Sequence, residues 1–359
     1  MLPNQRSAGL VFLEVQDFRV IQESPQGQDV TTTAKVRGTR KNKLLFAAIP
    51  EEPYFEENKR VFSQNVSVNN SFDYHLFIDG ADVCTGGHQV FLLIIIPSTH
   101  GDWQERNAIR RTWLGAGERD LWPLRKVGVP VRHIFLLGLQ TDVDVNMLQA
   151  ESLQHGDLVL AGFVDSYRNL TTKMLVGLQW VQNYCPQAQI VLKVDQDTLI
   201  NMPLIVALLW HVRERAGGDN AAFVLGLKHF HPKPVVKRTG KWRVSESEYP
   251  LPYFPAYVYG HTYALSSPSG VSRLLQAAHH VPLIAPEDAF ITGVLPKVAG
   301  MVRLTSKAFT VCCRRFISRC EVVLNERVAF TSLDSGYHLD NLWTDIMRHE
   351  CDPLRYERS

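Results

Sequence analysis

An α/β fold, with a mostly parallel central sheet and helices on both faces, is what this 359-residue sequence predicts. Three observations carry the prediction. From about residue 88 onward, short apolar runs alternate with stretches of helical periodicity. Each apolar run is apolar throughout rather than on alternate residues, as in strands buried on both faces. No internal repeat interrupts the alternation.

The elements follow in chain order. Val90–Ile96 ("VFLLIII") reads as the first strand, followed by the polar link "STHGDWQ" and a helix over "ERNAIRRTWL". A second strand covers His133–Gly138, a helix lies around residues 143–155, and Leu158–Leu160 is a third, short strand. Thr172–Cys185 is an amphipathic helix with Met174, Leu175, Leu178 and Val181 on one stripe. Ile190–Val194 is the fourth strand, and a helix follows over about 202–215. Residues 1–83 are weakly patterned, with a Thr31–Thr33 triplet, a basic stretch over 35–43 and an Asn/Ser-rich patch at 65–71. They read as a stem-like or loosely packed extension ahead of a domain spanning 84–359.

Composition narrows the function classes. With 45% hydrophobic residues, 21% charged residues and a formal net charge of +2, the chain is an ordinary globular one. It has no long basic run, so no nucleic-acid partner is expected. The six cysteines show no Cys-x-x-Cys spacing, which argues against structural zinc. They read as buried thiols or as disulfides of a secretory-pathway protein. Three Asn-x-Ser/Thr sequons, at Asn65, Asn69 and Asn169, tilt the reading toward a lumenal compartment. No stretch reaches the roughly 20 apolar residues that span a bilayer, and "LVFL" at 10–13 is too short for a signal sequence. No targeting or anchoring segment is therefore expected in this sequence.

The chemistry concentrates at "KVDQD" (Lys193–Asp197), at the carboxyl end of the fourth strand, where ligands of such sheets bind. Asp195 and Asp197 are oxygen donors suited to Mg²⁺ or Mn²⁺ bridging to a phosphate. Taken alone, the pair reads as readily as a turn cap and a solvated acid. A phosphatase strand-end motif is a competitor, but Thr198 follows the second Asp at once and Leu199 fills the position that motif needs for threonine. Arg106 and Arg110, four apart on one helix, suit a phosphate or a base edge, or else a solvated basic face. "DSYRNLTTK" (165–173) and "KWRVSESEYP" (241–250) are dense in polar and aromatic groups. "FPAYVYGHTYALS" (254–266) offers a sugar or base platform, or ordinary aromatic core. "PEDAFITG" (286–293) supplies Glu287 and Asp288, one suited to be a general base and the other a helix cap.

In order, "AIRRTW", "FLLG", "DSYRNLTTK", "KVDQD", "KWRVSESEYP", "YGHTYALS" and "EDAFITG" resemble the successive motifs of the β-1,3-glycosyltransferase family (glycosyltransferase family 31). That family contains the β-1,3-galactosyltransferases and β-1,3-N-acetylglucosaminyltransferases. The resemblance covers roughly residues 88–320, and "STHGDWQERNAIRRTW" is most similar to the galactosyltransferase branch. It implies a GT-A fold, a Rossmann-like sheet that binds a UDP-sugar with Mn²⁺ (or Mg²⁺), and it makes 84–359 the catalytic domain.

Residue by residue, the resemblance implies Asp197 as the metal ligand, with Asp195 supporting it or touching the nucleotide. Gln196 stands where many members carry a third acid. Arg106 and Arg110 would line the uridine-diphosphate pocket, and Asp165 and Lys173 would frame the donor site. Trp242, Tyr257 and Tyr263, with Glu287, would shape the sugar and acceptor pockets. Asp288 would be the base of an inverting single displacement. A histidine that completes the metal site in many members is missing between Asp288 and His338, and His338 is the next one along the chain.

The implied reaction transfers a hexose or N-acetylhexosamine, galactose foremost, from a UDP-sugar to the 3-hydroxyl of an acceptor glycan on a glycoprotein or glycolipid. The alternative is a catalytically weak relative that serves as a partner or chaperone of another transferase. The family resemblance also implies a type II Golgi membrane protein with a lumenal domain, glycosylated sequons, and a disulfide between Cys351 and one of Cys312, Cys313 or Cys320.

Overall fold

The computed structural model describes residues 46–52, 68–85, 89–122, 126–141, 144–309, 327–330 and 336–347. Among them nine strands form one sheet. Its spatial order is β1 (Ala47–Ala48), β10 (Val302–Thr305), β8 (Phe223–Lys228), β9 (Val258–Ser266), β6 (Ala188–Val194), β3 (Val90–Pro97), β4 (Val131–Leu139), β5 (Leu158–Val164) and β2 (Leu76–Ile78). β3, β4, β5, β6, β8 and β10 run one way, and β1, β2 and β9 run against them. Outside this sheet, β7 (Leu199–Ile200) pairs with β11 (Ala329–Phe330).

The continuous apolar runs do what their composition requires. Leu92, Ile94 and Ile96 of β3 enter one core, while Leu93 and Ile95 enter the other, all fully buried. On the first face lie α1 (Trp103–Arg111), α5 (Met202–Ala216) and α9 (Gly336–Met347). On the second lie α4 (Leu170–Tyr184) and α6 (Ser269–His280). The Asn201 carboxamide caps α5 by accepting from the Leu204 N–H, and Gly217 ends the helix at φ 111°.

Three features differ from the sequence reading. The single helix read through "ERNAIRRTWL" breaks at Thr112, and a separate helix, α2 (Trp113–Glu118), follows. The break brings Gly115 so near the Arg110 carbonyl that a Cβ would sit 2.1 Å from that oxygen. The "YVYGHTYALS" stretch, read as a sugar or base platform or as aromatic core but not as a strand, forms the antiparallel strand β9 between β6 and β8. Third, the sheet recruits residues upstream of position 84. β1 and β2 are its two edges, and Asn70 donates to the carbonyls of Ala278 and Val281 at 2.7 and 2.9 Å. Glu52 forms a buried bidentate pair with Arg303, both contacts at 2.9 Å.

A disulfide joins Cys84 to Cys185 at the end of α4, closing a separation of 101 residues. Cys312, Cys313, Cys320 and Cys351, the cysteines for which a pairing was expected, lie outside the described residues, as does Asn65. Asn69 is exposed, whereas the Asn169 carboxamide donates to the Val164 carbonyl at 2.8 Å. Among the described residues no helix is long and apolar enough to cross a membrane.

Candidate active site

The acids of "KVDQD" and "PEDAFITG" meet at the carboxyl end of β6, on the second face of the sheet. Lys193 pairs with Tyr263 of β9, and the Asp195 N–H donates to the His261 carbonyl at 2.9 Å. Strand alternation therefore sets Lys193, Asp195, His261 and Tyr263 on one face. The Lys193 ammonium is buried and donates to the Asp195 carboxylate and to the Gly260 carbonyl. Burial opposes its charge, but Asp195, Glu287 and Asp288 outweigh burial and raise its pKa.

Glu287 and Asp288 enter on α7 (Glu287–Ala289), which continues as a π-helical segment, Phe290–Val294, and then α8 (Leu295–Val298). The segment is tied to β9 because the Thr292 hydroxyl donates to the Asp288 carbonyl at 2.6 Å and accepts from the Val258 N–H at 3.0 Å. The two acids then diverge. Glu287 is buried, takes the Tyr263 hydroxyl, and is raised to about 7 chiefly by burial. Asp288 is partly open to solvent and accepts from the Ala289 N–H at 2.8 Å. Burial pushes its pKa up too, helped by the charge of Asp195. Gly260 lies against it: a Cβ there would stand 3.2 Å from the Asp288 Cβ.

Asp197 lies half-buried one residue beyond Gln196, its pKa raised by burial and then by the neighbouring Asp195. Beside this pair three buried polar atoms have no protein partner: the Gln196 Oε1 and both ring nitrogens of His261. Burial keeps the His261 ring neutral, with a pKa near 4. Among the described residues no group of three or more His, Cys, Asp and Glu side chains is gathered as a metal site. Helix α9 contains His338.

Two aromatic walls flank the acids. On one side Tyr167 lies near Trp242 and feels the charges of Asp288, Asp195 and Glu287. On the other, Tyr257 and Tyr259 stack against His229 at 4.9 and 5.0 Å. Burial, followed by the charge of Asp288, raises the Tyr257 phenol well above its usual range. Trp242 and Tyr257, two of the residues expected to shape the pockets, thus lie near the acids. Tyr263 instead is fully buried beneath the site, holding Glu287, so neither residue of that pair forms a wall.

The two arginines read as pocket residues are committed elsewhere. Arg106 is fully buried, bidentate to Glu151 at 2.8 and 2.6 Å, and also bonds the Ser98 hydroxyl and the Thr99 carbonyl. Arg110 is bidentate to Asp157, both contacts at 2.7 Å, and reaches Glu151. Its guanidinium lies over the Phe135 ring, on the first face, across the sheet from Lys193. Their i, i+4 spacing serves a buried ion network instead of an open pocket. Asp165 and Lys173 do meet at the strand ends on the second face: the ammonium donates to Asp165 and to the Ser98 carbonyl, both at 2.7 Å.

Lys193, Gly260, His261 and Tyr167 belong to the cluster although none was singled out as a site residue from the sequence. The signal for Lys193 was visible, since a lysine inside an otherwise apolar strand demands a buried counter-charge. Gly260 and His261 depended on β9 being a strand, which its aromatic content hid, and Tyr167 on the short helical turn Tyr167–Asn169.

Comparisons with known proteins agree on one family. The family model described as Galactosyltransferase matches residues 104–305. Human beta-1,3-galactosyltransferase 4 is 35% identical over 257 residues, covering 63% of this chain and 66% of that protein. Less than two thirds of that relative is therefore spanned. Beta-1,3-galactosyltransferase 5 of Pan paniscus is 32% identical over 235 residues, covering 64% of this chain and 74% of its own. Among solved structures, apo mouse xyloside xylosyltransferase 1 matches 68% of this chain and 97% of its own, at 9% identity and a TM-score of 0.32, too low to carry an inference.

Proposed function

The chain belongs to the galactosyltransferase family, and from that premise we propose that it transfers a hexose, galactose foremost, from a UDP-sugar to the 3-hydroxyl of an acceptor glycan. The product is a β-1,3 linkage on a glycoprotein or glycolipid. The observation that carries the reading is the division of labour between adjacent acids. Glu287 is sealed under the site by Tyr263, while Asp288 stays partly open beside Asp195 and joins no salt bridge among the described residues.

In this reading the raised pKa of Asp288 makes it a better base than a solvated aspartate. It takes the proton of the acceptor hydroxyl as that oxygen bonds to the anomeric carbon. The bond from that carbon to the diphosphate breaks, UDP leaves, and the configuration inverts. No covalent intermediate is required. Asp165 and Lys173 hold the strand ends in place, and Trp242, Tyr167 and Tyr257 wall the space where sugars would lie.

Mn²⁺ or Mg²⁺ fits the residues present. Asp195 and Asp197 are hard oxygen donors; burial and then the charge of Asp195 raise Asp197, and a cation would offset that charge. Those two would hold the ion, which when bound supplies positive charge for the departing diphosphate. The Golgi lumen, with its membrane, is the proposed location, supported by the Cys84–Cys185 disulfide and the exposed Asn69 sequon.

The test incubates the purified protein with Mn²⁺ and a panel of UDP-sugars and measures UDP release with and without β-galactoside or N-acetylhexosaminide acceptors. Acceptor-dependent release that Asp288→Asn abolishes, with UDP binding kept, is the expected result. A variant that binds UDP and keeps full transfer overturns the role of Asp288. UDP binding with no release from any donor would instead favour a partner of another transferase.

A further inference from the structure

A strongly basic, aromatic segment flanks the site, and its cations take no part in the chemistry above. From Lys228 to Arg243 the chain carries Lys228, Lys233, Lys237, Arg238, Lys241 and Arg243, with His229 and His231, and no Asp or Glu. A net charge of only +2 over the whole chain makes this a local concentration. Arg238 is structural, donating to the carbonyls of Val244, Tyr249 and Leu251 at 2.8–3.0 Å. Lys237, Lys241 and Arg243 are exposed.

The segment touches both walls of the site. At its start, His229 stacks on Tyr257 and Tyr259. At its end, the Lys241 ammonium sits 4.6 Å from the Tyr167 ring centre and 5.8 Å from that of Trp242. Trp242 is 58% exposed and Tyr167 49%, so both rings present open faces. The acids that follow are Glu246 and Glu248, and Glu248 is engaged by Arg168 at 2.9 Å and by Ser245 at 2.7 and 2.8 Å.

We propose that the acceptor is an anionic glycan, its sugar rings lying on Trp242 and Tyr167 and its carboxylate or sulfate meeting Lys241 and Arg243. The inference rests on the transferase reading and deepens it. Tyr167 feels the charge of Asp288 and carries the Lys241 ammonium over its ring, so the reacting hydroxyl and the acidic group would fall on different sugars of one acceptor. Exposed charge pairs are weak, and the aromatic faces supply the orientation that a lone lysine lacks. Selectivity for the acidic acceptor is expected at about three- to tenfold, falling with salt.

The experiment uses two soluble, lipid-free oligosaccharides that differ only by one acidic sugar. It compares their kcat/KM in the full chain, in Lys241→Gln/Arg243→Gln and in Lys241→Arg. The acid-to-neutral ratio should exceed about threefold, drop to near unity in the double variant and persist in Lys241→Arg. Titration calorimetry of the free oligosaccharides makes the same comparison without turnover, so loss of the transferase reading would not mask the result. A ratio of one in the unaltered protein overturns the proposal. So does a double variant whose main defect is a raised KM for the UDP-sugar, which would assign the cations to the donor diphosphate. Selectivity seen only on anionic vesicles would assign them to a lipid surface, and likewise overturns it.

Discussion

Lys193 holds Asp195 in place: its buried ammonium donates to the Asp195 carboxylate and, across β9, to the Gly260 carbonyl. One cation thereby fixes the first acid of the proposed metal pair and the backbone against which Asp288 lies. It also offsets Glu287 and Asp288, whose charges both bear on it. Lys193→Met should lower transfer about 10–100-fold, the usual effect of losing a group that orients metal ligands. Mn²⁺ affinity, followed by the spectroscopic signal of the free ion, should weaken in parallel. Unchanged affinity and turnover would remove Lys193 from the site.

Glu287 gives the protein a pH dependence that can be separated from catalysis. Its folded pKa, about 7, lies above the ordinary value because burial disfavours the carboxylate, and the charges of Asp288 and Asp195 add to that. The folded state therefore binds the proton more tightly than the unfolded one. This contribution is complete at acidic pH and is lost as pH rises from about 4.5 through 7. The loss is about 3 kcal/mol if the group stays fully buried. Denaturant melts at pH 5 and pH 8 should show it, and Glu287→Gln should flatten the difference.

His133 produces a second loss in a higher window. Its ring nitrogens contact Glu118 at 2.6 Å and Asp157 at 2.9 Å. Burial works against its charge, but the two acids prevail and raise it to about 9. The stabilisation is whole below the ordinary histidine value of about 6.5 and disappears as pH climbs through 9. Melts at pH 6 and pH 10 should differ by about 3 kcal/mol more in the parent than in His133→Gln. An imidazole NMR titration midpoint near 6.5 would contradict the assignment.

These residues also mark where the sequence was legible. Strands β3 to β6 were readable because burial on both faces leaves unbroken apolar runs, and their helices carried clear stripes. Asp195, Asp197 and Asp288 were singled out by their place in ordered motifs, and the fold brings Asp195 and Asp288 to the same buried lysine. Arg106 and Arg110 were misread because i, i+4 spacing reports only a shared helix face. Whether that face meets a ligand or the acids Glu151 and Asp157 is decided 45 to 47 residues away. β9 was hidden for a related reason: Tyr259, His261 and Tyr263 share one face, but two are polar-tipped aromatics and the third is a histidine, so the alternation carries little hydrophobic contrast. The edge strands β1 and β2, at two and three residues, are too short to show a period.

Gly260 supplies the sharpest test of how closely the base is positioned. It passes directly beneath Asp288, and an added Cβ would approach the Asp288 Cβ to 3.2 Å and its carboxylate carbon to 3.6 Å. Those contacts are tight enough to move the acid by a few tenths of an ångström without unfolding β9. In the proposed mechanism Asp288 meets the acceptor hydroxyl at hydrogen-bond distance, so Gly260→Ala should reduce kcat by about 10–100-fold. UDP affinity and melting temperature should stay close to those of the parent, because Asp195, Asp197 and the Lys193 contact to the Gly260 carbonyl involve no side chain at 260. Normal turnover in Gly260→Ala would show that the reacting proton does not pass through Asp288.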